Sequence, residues 1–333
     1  MIITTHAFAR AGLVGNPSDG YFGKTVSFSI RNFRATVRLW ESPTFEILPN
    51  DSDVVRFDSM KHFLREQKLM GYYGGMRLVR AAVARFYRYC EEQSLPLKPG
   101  NFTISYESTI PRLVGMSGSS AIVIATLRAL CAYHGVELPK HYFPTVALQV
   151  ETQELGIAAG LQDRVAQVYE NLVYMDFERS QVEGKGYGHY EYIKPAGRLP
   201  VYVAYDPQRA EISGVPHANL RARWESGEKK VVDAMQTFAG YAASARKAIE
   251  TGDWDTLHKV CDQNFDLRLT IMDVAPENKR MVETARSVGA SAKFAGSGGA
   301  IVGTYRDGHQ YQKLSDKLAT IGCTTLRPMI FED

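Results

Sequence analysis

The sequence predicts a mixed α+β chain in two lobes, and three observations predict it. Strand-like alternation and helix-like periodicity both recur along the 333 residues. They do not keep the regular strand–helix beat of a doubly wound sheet. A polar, glycine-rich stretch over 184–198 separates an N-terminal part, 1–192, from a C-terminal part, 193–333.

In order, residues 3–14 alternate and end in Leu-Val, which predicts a first strand. Gly15-Asn-Pro-Ser-Asp-Gly20 is turn-rich. Residues 24–40 alternate strongly and read as one long strand or two paired ones, and 44–57 as another strand pair. Residues 71–93 predict a helix with Met76, Val79, Ala82, Val83 and Phe86 on one face. A strand over 101–109 leads into a Ser/Gly loop and then an apolar helix from Ala121. A second helical stretch, about 141–155, is followed by a loop, 157–163, and a strand, 172–177. Beyond the divide come a strand at 200–205, a long polar loop to about 224, and helices near 226–250, 254–272 and 276–288. Residues 292–303 read as strand, glycine turn, strand; a helix near 309–321 and a short strand end the series.

Composition excludes several functions. The hydrophobic share of 45% and the charged share of 23% suit a globular core. The net charge of +3 comes from scattered Lys and Arg, not from a basic stripe, so a nucleic-acid partner is not expected. The four cysteines are far apart with no Cys-x-x-Cys pair, so no zinc or redox site is expected. No signal-peptide pattern and no membrane-length apolar run are seen, so a cytoplasmic chain is expected.

Pro111 to Thr126 carries the strongest chemical signal. A strand, a short loop of Gly115, Ser117, Gly118, Ser119 and Ser120, and a buried helix follow one another. Helix N-termini leave backbone N–H groups unpaired and partly positive, and glycines let a ligand approach the backbone. That is a phosphate cradle. It is not the Walker type, since no Gly-Lys-Ser/Thr follows. Taken alone, it reads equally as a plain turn with a serine N-cap. Further glycine-marked loops lie at 15–20 and 296–299, and a fourth, 156–163, carries Asp163.

Together these loops resemble the GHMP small-molecule kinase family. Its middle motif, Pro-x-x-x-Gly-Leu-Gly-Ser-Ser-Ala, is matched with one extra residue by Pro111-Arg-Leu-Val-Gly-Met-Ser-Gly-Ser-Ser-Ala121. Its first motif in the sugar-1-kinase branch, Arg-x-x-Leu-x-Gly-x-x-x-Asp, is matched by Arg10 to Asp19. The last is the turn Gly296-Ser-Gly-Gly299. The runs GNPSDGYFGKT, GYYGG, GMSGSSAIV, ELGIAAGLQDRVAQVY and AKFAGSGGA resemble the glucuronokinase branch. Asn16-Pro17 stands where galactokinases have Glu-His, which argues against galactose.

The resemblance implies a GHMP kinase fold: an N-terminal ribosomal-protein-S5-like lobe, a C-terminal α/β sandwich lobe, and the active site between them. It implies ATP and Mg²⁺ as cofactors and a sugar-acid 1-kinase, with D-glucuronate favoured over galacturonate or a heptose phosphate. A catalytically silent sugar sensor is the rival class. Asp163 is implied as the catalytic carboxylate facing the attacking hydroxyl, and Arg10 as the cation beside the transferred phosphate. Gly115, Ser117, Gly118, Ser119 and Ser120 are implied at the ATP phosphates. Asp19 is implied at the sugar hydroxyls, with an Asx turn as its alternative role. Ser120 and Glu151 are implied as Mg²⁺ partners, with Ser119 and Glu154 as alternatives. Tyr72, Gly298 and Arg164 are expected near the sugar. The substrate carboxylate needs a cation, for which Lys24, Arg112, Arg164, Arg221 and Arg223 are candidates. A monomer or homodimer is expected.

Overall fold

Two antiparallel strands, β1 (Ile2–Val14) and β2 (Lys24–Ser42), form the spine of the molecule. The computed structural model describes residues 2–49, 53, 74–208 and 214–331, and of 214–219 the backbone only. The second strand expected within 44–57, and Tyr72, lie outside the described residues. The 24–40 stretch is one strand, and its length has a cause. One edge of β2 pairs with β1 along its length. Its other edge is shared: residues 35–42 pair with β4 (Asn101–Ser108) and residues 24–28 with β5 (Leu172–Asp176). β3 (Glu46–Ile47) adds to β4 in parallel, and β6 (His189–Tyr192) adds to β5.

β1 departs from simple alternation. From Ala7 to Val14 every residue is buried, because elements cover both of its faces. Helix α2 (Gly118–His134) packs on β1 and β2. It is apolar almost all round, which suits a helix with little solvent on any side. Gly135, at φ 69°, ends it by returning its N–H to Cys131 O. Helix α1 (Gly75–Glu92) lies against α2 and buries Leu78, Val79, Ala82, Phe86 and Cys90. Each large apolar side chain buried this way contributes about 1.5–3 kcal/mol. Short helix α3 (Phe143–Gln149) runs into a wider turn, Val150–Glu154.

Three stretches depart from the sequence expectation. The 157–163 loop ends early, at Gly160; helix α4 (Leu161–Tyr169) begins there, so Asp163 stands in the first turn of a helix. Gly160 offers no side-chain cap, so nothing local announces that helix. After the short helix α5 (Arg179–Lys185), the glycine-rich 184–198 stretch contains β6. The polar stretch before 224 contains helix α6 (Gly214–Glu225).

The second sheet has four strands in the order β10-β7-β9-β8. They are β7 (Val201–Tyr205), β8 (Lys293–Phe294), β9 (Ala300–Thr304) and β10 (Thr324–Leu326), all antiparallel to their neighbours. Helices α7 (Lys229–Thr251) and α8 (Trp254–Ile271) pack together. Asp253 caps α8 by accepting the Thr256 N–H at 3.0 Å. α9 (Pro276–Arg286) and α10 (Gly308–Ala319) cover β9 and β10 around a core of Tyr202, Phe265, Val282, Ile301 and Leu314. No helix among the described residues is long and apolar enough to cross a membrane. The four cysteines form no disulfide among the described residues.

Candidate active site

The site forms where the buried end of β1 meets the N-termini of α2 and α4 and the β8–β9 turn. Arg10, on β1, is 4% exposed, so its guanidinium must find partners within the protein. Nε donates to Asp163 Oδ1 at 2.6 Å, and Nη1 donates to Gly115 O at 2.7 Å and Ala295 O at 2.9 Å. One arginine thus ties together α4, the Ser/Gly loop and the C-terminal hairpin. The other Asp163 oxygen accepts from Ser117 Oγ at 2.7 Å. Asp163 keeps 26% of its side chain exposed, so its fixed carboxylate still faces open space.

The Ser/Gly loop is held by backbone-to-backbone approach. Ser117 has φ 62°, a left-handed turn that launches α2, and its hydroxyl caps nothing in that helix. A Cβ on Gly115 would lie 2.4 Å from Gly298 O, and one on Gly296 would lie 2.4 Å from Gly115 O. The two glycine loops therefore interlock with no room for side chains. Gln167 on α4 donates to both Phe8 O and Ser117 O at 2.9 Å, fixing the loop against β1. Gly118, Ser119 and Ser120 then offer the first backbone N–H groups of a buried helix. Ser120 Oγ donates to Ser117 O at 3.2 Å.

Asp19 lies in a short 3-10 turn, Ser18–Tyr21, beside Asp163. The Gln162 backbone N–H donates to its carboxylate, so Asp19 supplies the cap that α4 lacks locally. A Cβ on Gly160 would lie 2.5 Å from Asp19 Oδ2, which explains the glycine there. Burial, and next the Asp163 charge, push the Asp19 carboxyl up to about 7, against the pull of Arg10.

Arg164 and Glu151 form a buried ion pair. Arg164 Nη1 also donates to Gly160 O at 2.8 Å and lies 3.7 Å from Asp163 Oδ2. Arg164 thus braces the start of α4. Glu154 pairs with Arg88 at the surface. Gly298 lies against Gly115, on the phosphate-loop side.

Several site-forming residues carry no local signal in the sequence. Asn264 on α8 is fully buried; it accepts the Gly15 N–H at 2.6 Å and donates to Asn16 O at 3.0 Å. One turn on, Arg268 donates to Gly296 O at 3.3 Å and Ser297 O at 3.4 Å. Lys293, also buried, donates to Gly12 O at 2.7 Å and Phe294 O at 2.6 Å. Burial drives its amine well below the usual lysine range. A lysine inside the small, apolar run Ser-Ala-Lys-Phe-Ala was the one visible hint; Asn264, Arg268 and Gln167 look like ordinary helix residues.

This geometry joins a helix-terminus phosphate cradle to a carboxylate and a guanidinium. The GHMP kinases N terminal domain model matches residues 77–171, and the GHMP kinases C terminal model matches 245–321. Glucuronokinase 1 of Arabidopsis thaliana is 39% identical, over 98% of this chain and 91% of its own. This chain is a GHMP kinase. Probable glucuronokinase 2 of the same plant is 41% identical over 93% of this chain and 86% of its own. Among solved structures, Lactococcus lactis galactokinase complexed with galactose superposes with a TM-score of 0.77 at 13% identity, covering 99% of this chain and 93% of that one. The kinase therefore moves a phosphoryl group from ATP to an alcohol acceptor on a small molecule, with a glucuronokinase-like sequence.

Proposed function

We propose that this GHMP kinase transfers the γ-phosphoryl group of Mg-ATP to the anomeric hydroxyl of D-glucuronate, giving glucuronate 1-phosphate and ADP. The near full-length similarity to two glucuronokinases supports the substrate. The Arg10–Asp163–Ser117 constellation supports the chemistry. The protein acts in the cytoplasm as a monomer or homodimer, and its lobes divide near residue 192, where β6, an edge strand of the first sheet, ends.

The ATP phosphates lie on the N–H groups at the start of α2, with Ser117 and Ser119 hydroxyls beside them. Asp163 faces the sugar's C1 hydroxyl. Its two oxygens are already held by Arg10 and Ser117, so it needs no reorganisation. As the C1 oxygen bonds to the γ-phosphorus, its proton passes to Asp163. The bond from the γ-phosphorus to the β,γ-bridging oxygen breaks, and ADP leaves. Phosphoryl transfer depends mainly on positioning and charge stabilisation, and Arg10 supplies a permanent positive charge for both. Asp19 accepts hydrogen bonds from sugar hydroxyls.

The described residues hold no group of three metal-ligating side chains. That suits Mg²⁺, which keeps most of its waters and takes one or two protein oxygens. Ser120 and Glu151 supply hard oxygens; the Ser120 hydroxyl donates to Ser117 O and keeps its lone pairs. Glu151 would share its carboxylate between the metal and Arg164. When bound, Mg²⁺ neutralises phosphate charge.

The test is ADP release with Mg-ATP across glucuronate, galacturonate, glucose, galactose, mannose and heptose 7-phosphate. Glucuronate-selective turnover is expected. Selective turnover of another sugar overturns the substrate, and nucleotide binding with no turnover on any sugar overturns the enzymatic reading in favour of a sensor.

A further inference from the structure

A sugar acid differs from its parent sugar by one carboxylate, and that charge needs a cation. Most basic side chains around the sugar loop are already engaged. Lys24 pairs with Asp176 at 2.7 Å. Arg164 is buried against Glu151. Arg223 grips both oxygens of Glu228 at 2.7 Å and donates to Ile271 O at 2.6 Å, anchoring the end of α6. Arg10 and Arg268 hold the glycine loops. Arg112 is exposed near Tyr106 of β4, and β4 lines the half of β2 remote from the sugar loop.

Arg179 is exposed over the Phe22 and Trp224 rings with a surface contact to Glu183 at 3.8 Å, but it is Arg221 that reaches Gly20, next to Asp19. Its neighbour Leu220 is buried in a cluster with Tyr21, Val231 and Phe238, which fixes this turn of α6 against the sugar loop. The Arg221 guanidinium lies over the Tyr21 ring, 5.1 Å from its centre. Its Nη2 comes within 3.8 Å of where a Cβ on Gly20 would stand. Gly20 adjoins Asp19, and the Tyr21 hydroxyl feels both the Asp19 and the Arg221 charges. Among the described residues its one ion-pair contact is Glu225, at 4.0 Å between side chains 47% and 61% exposed. Such a contact is worth little and gives way readily. Trp224, its rings edge-on to Tyr21 at 5.5 Å, extends the aromatic wall beneath.

We infer that Arg221 is the specificity-determining residue that receives the carboxylate of the sugar-acid substrate. The chemistry fits the layout. In a uronic acid the C1 hydroxyl and the C5 carboxylate flank the ring oxygen. A substrate with C1 at Asp163 and its C4 hydroxyl on Asp19 turns the carboxylate, carried on the neighbouring C5, toward Gly20, where Arg221 lies. A guanidinium offers parallel N–H donors that match a carboxylate, and the stacked Tyr21 ring limits its orientations. Glycine at position 20 keeps the approach open.

This inference rests on the glucuronate reading, and one experiment separates the two. Steady-state rates are measured with Mg-ATP for the wild type, Arg221→Gln and Arg221→Lys, on D-glucuronate and on its uncharged carboxamide, glucuronamide. The wild type is expected to prefer the acid. Arg221→Gln is expected to lose about 10- to 100-fold in kcat/KM on glucuronate, mostly through KM, as the removal of a charge-assisted contact predicts. Its rate on the amide should hold, so the preference collapses, and Arg221→Lys should restore part of it. Arg112→Gln should keep the wild-type preference. An unchanged acid-to-amide ratio in Arg221→Gln, or its collapse in Arg112→Gln instead, overturns the assignment while leaving glucuronate as substrate. A wild type that turns over only uncharged sugars removes both. Arg221 is half exposed, so melting temperatures near wild type are expected for its variants.

Discussion

The proposed catalytic end and the proposed sugar end of this site are built in opposite ways. At the catalytic end, Arg10 is buried and bonded to three separate segments, and both oxygens of Asp163 are held. At the other end, Arg221 is half exposed and, among the described residues, has one long contact to an acid. Groups that stabilise a transition state work best when their geometry is set beforehand. A group that recognises a substrate charge must remain open to meet it. The contrast also extends to the backbone. Gly115 and Gly296 leave no room for a Cβ between them, while the 15–20 loop is held by side chains, the buried Asn264 among them.

The sharpest way to break this comparison is Asp163→Asn. It preserves shape and removes the proton acceptor. Turnover should fall by about 10²- to 10⁴-fold, with sugar and ATP binding retained. Rates come from coupled ADP release and binding from calorimetry. Wild-type turnover in that variant would mean that the pre-paired carboxylate is structural only.

Gly296→Ala tests the interlocked backbones. Its Cβ would meet Gly115 O at 2.4 Å and Arg10 Nη2 at 2.9 Å. Neither partner can yield without moving the Ser/Gly loop or the Arg10 guanidinium. A displacement of about an ångström costs on the order of 10²-fold in rate. The expected loss is in kcat with a fold that stays intact by circular dichroism. A variant with normal kcat would show that the loops tolerate separation.

Much of this was legible in the sequence, for a physical reason. Strands such as β2 and helices such as α2 show their burial as a repeating pattern, and glycine loops show where chains must approach closely. Helix α4 was not legible, because its cap is Asp19, far away in the chain. Helix α6 was not, because its segment is polar and contains Gly214 and Pro216. Asp163, Arg10 and Ser117 could be named from motifs, but that they bond one another could not. Arg164 looked like a substrate cation; only the fold shows its pairing with Glu151.

Asn264→Ala tests a buried anchor of the 15–20 loop. It leaves the buried Gly15 N–H and Asn16 O without their partner. The expected cost is about 1–3 kcal/mol of stability, read from urea unfolding. KM for the sugar should rise more than KM for ATP, since the phosphate loop is held by other contacts. An equal rise in both would mean that the two ends are not independently supported.

The smallest expected effect concerns the pair of carboxylates that joins the two ends. Asp19 is pushed up to about 7 by burial and by Asp163, from 3.8. Its proton therefore binds more tightly in the folded protein than in the unfolded chain. The stabilisation from that proton is fully present below about pH 4, declines as pH rises toward about 7, and is gone above it. Asp19→Asn has no such proton. The melting temperature of the variant relative to wild type should therefore climb between about pH 4 and pH 7 and then level off. The same titration governs binding, because an ionised carboxylate accepts more hydrogen bonds from sugar hydroxyls than a protonated one. Wild-type KM for the sugar should accordingly fall as pH rises through about 7, and the KM of Asp19→Asn should stay flat. A melting-temperature gap that does not change with pH would show that Asp19 stays ionised beside Asp163. The charge of Arg10 and the N-terminus of α4 would then outweigh burial at this point of the site.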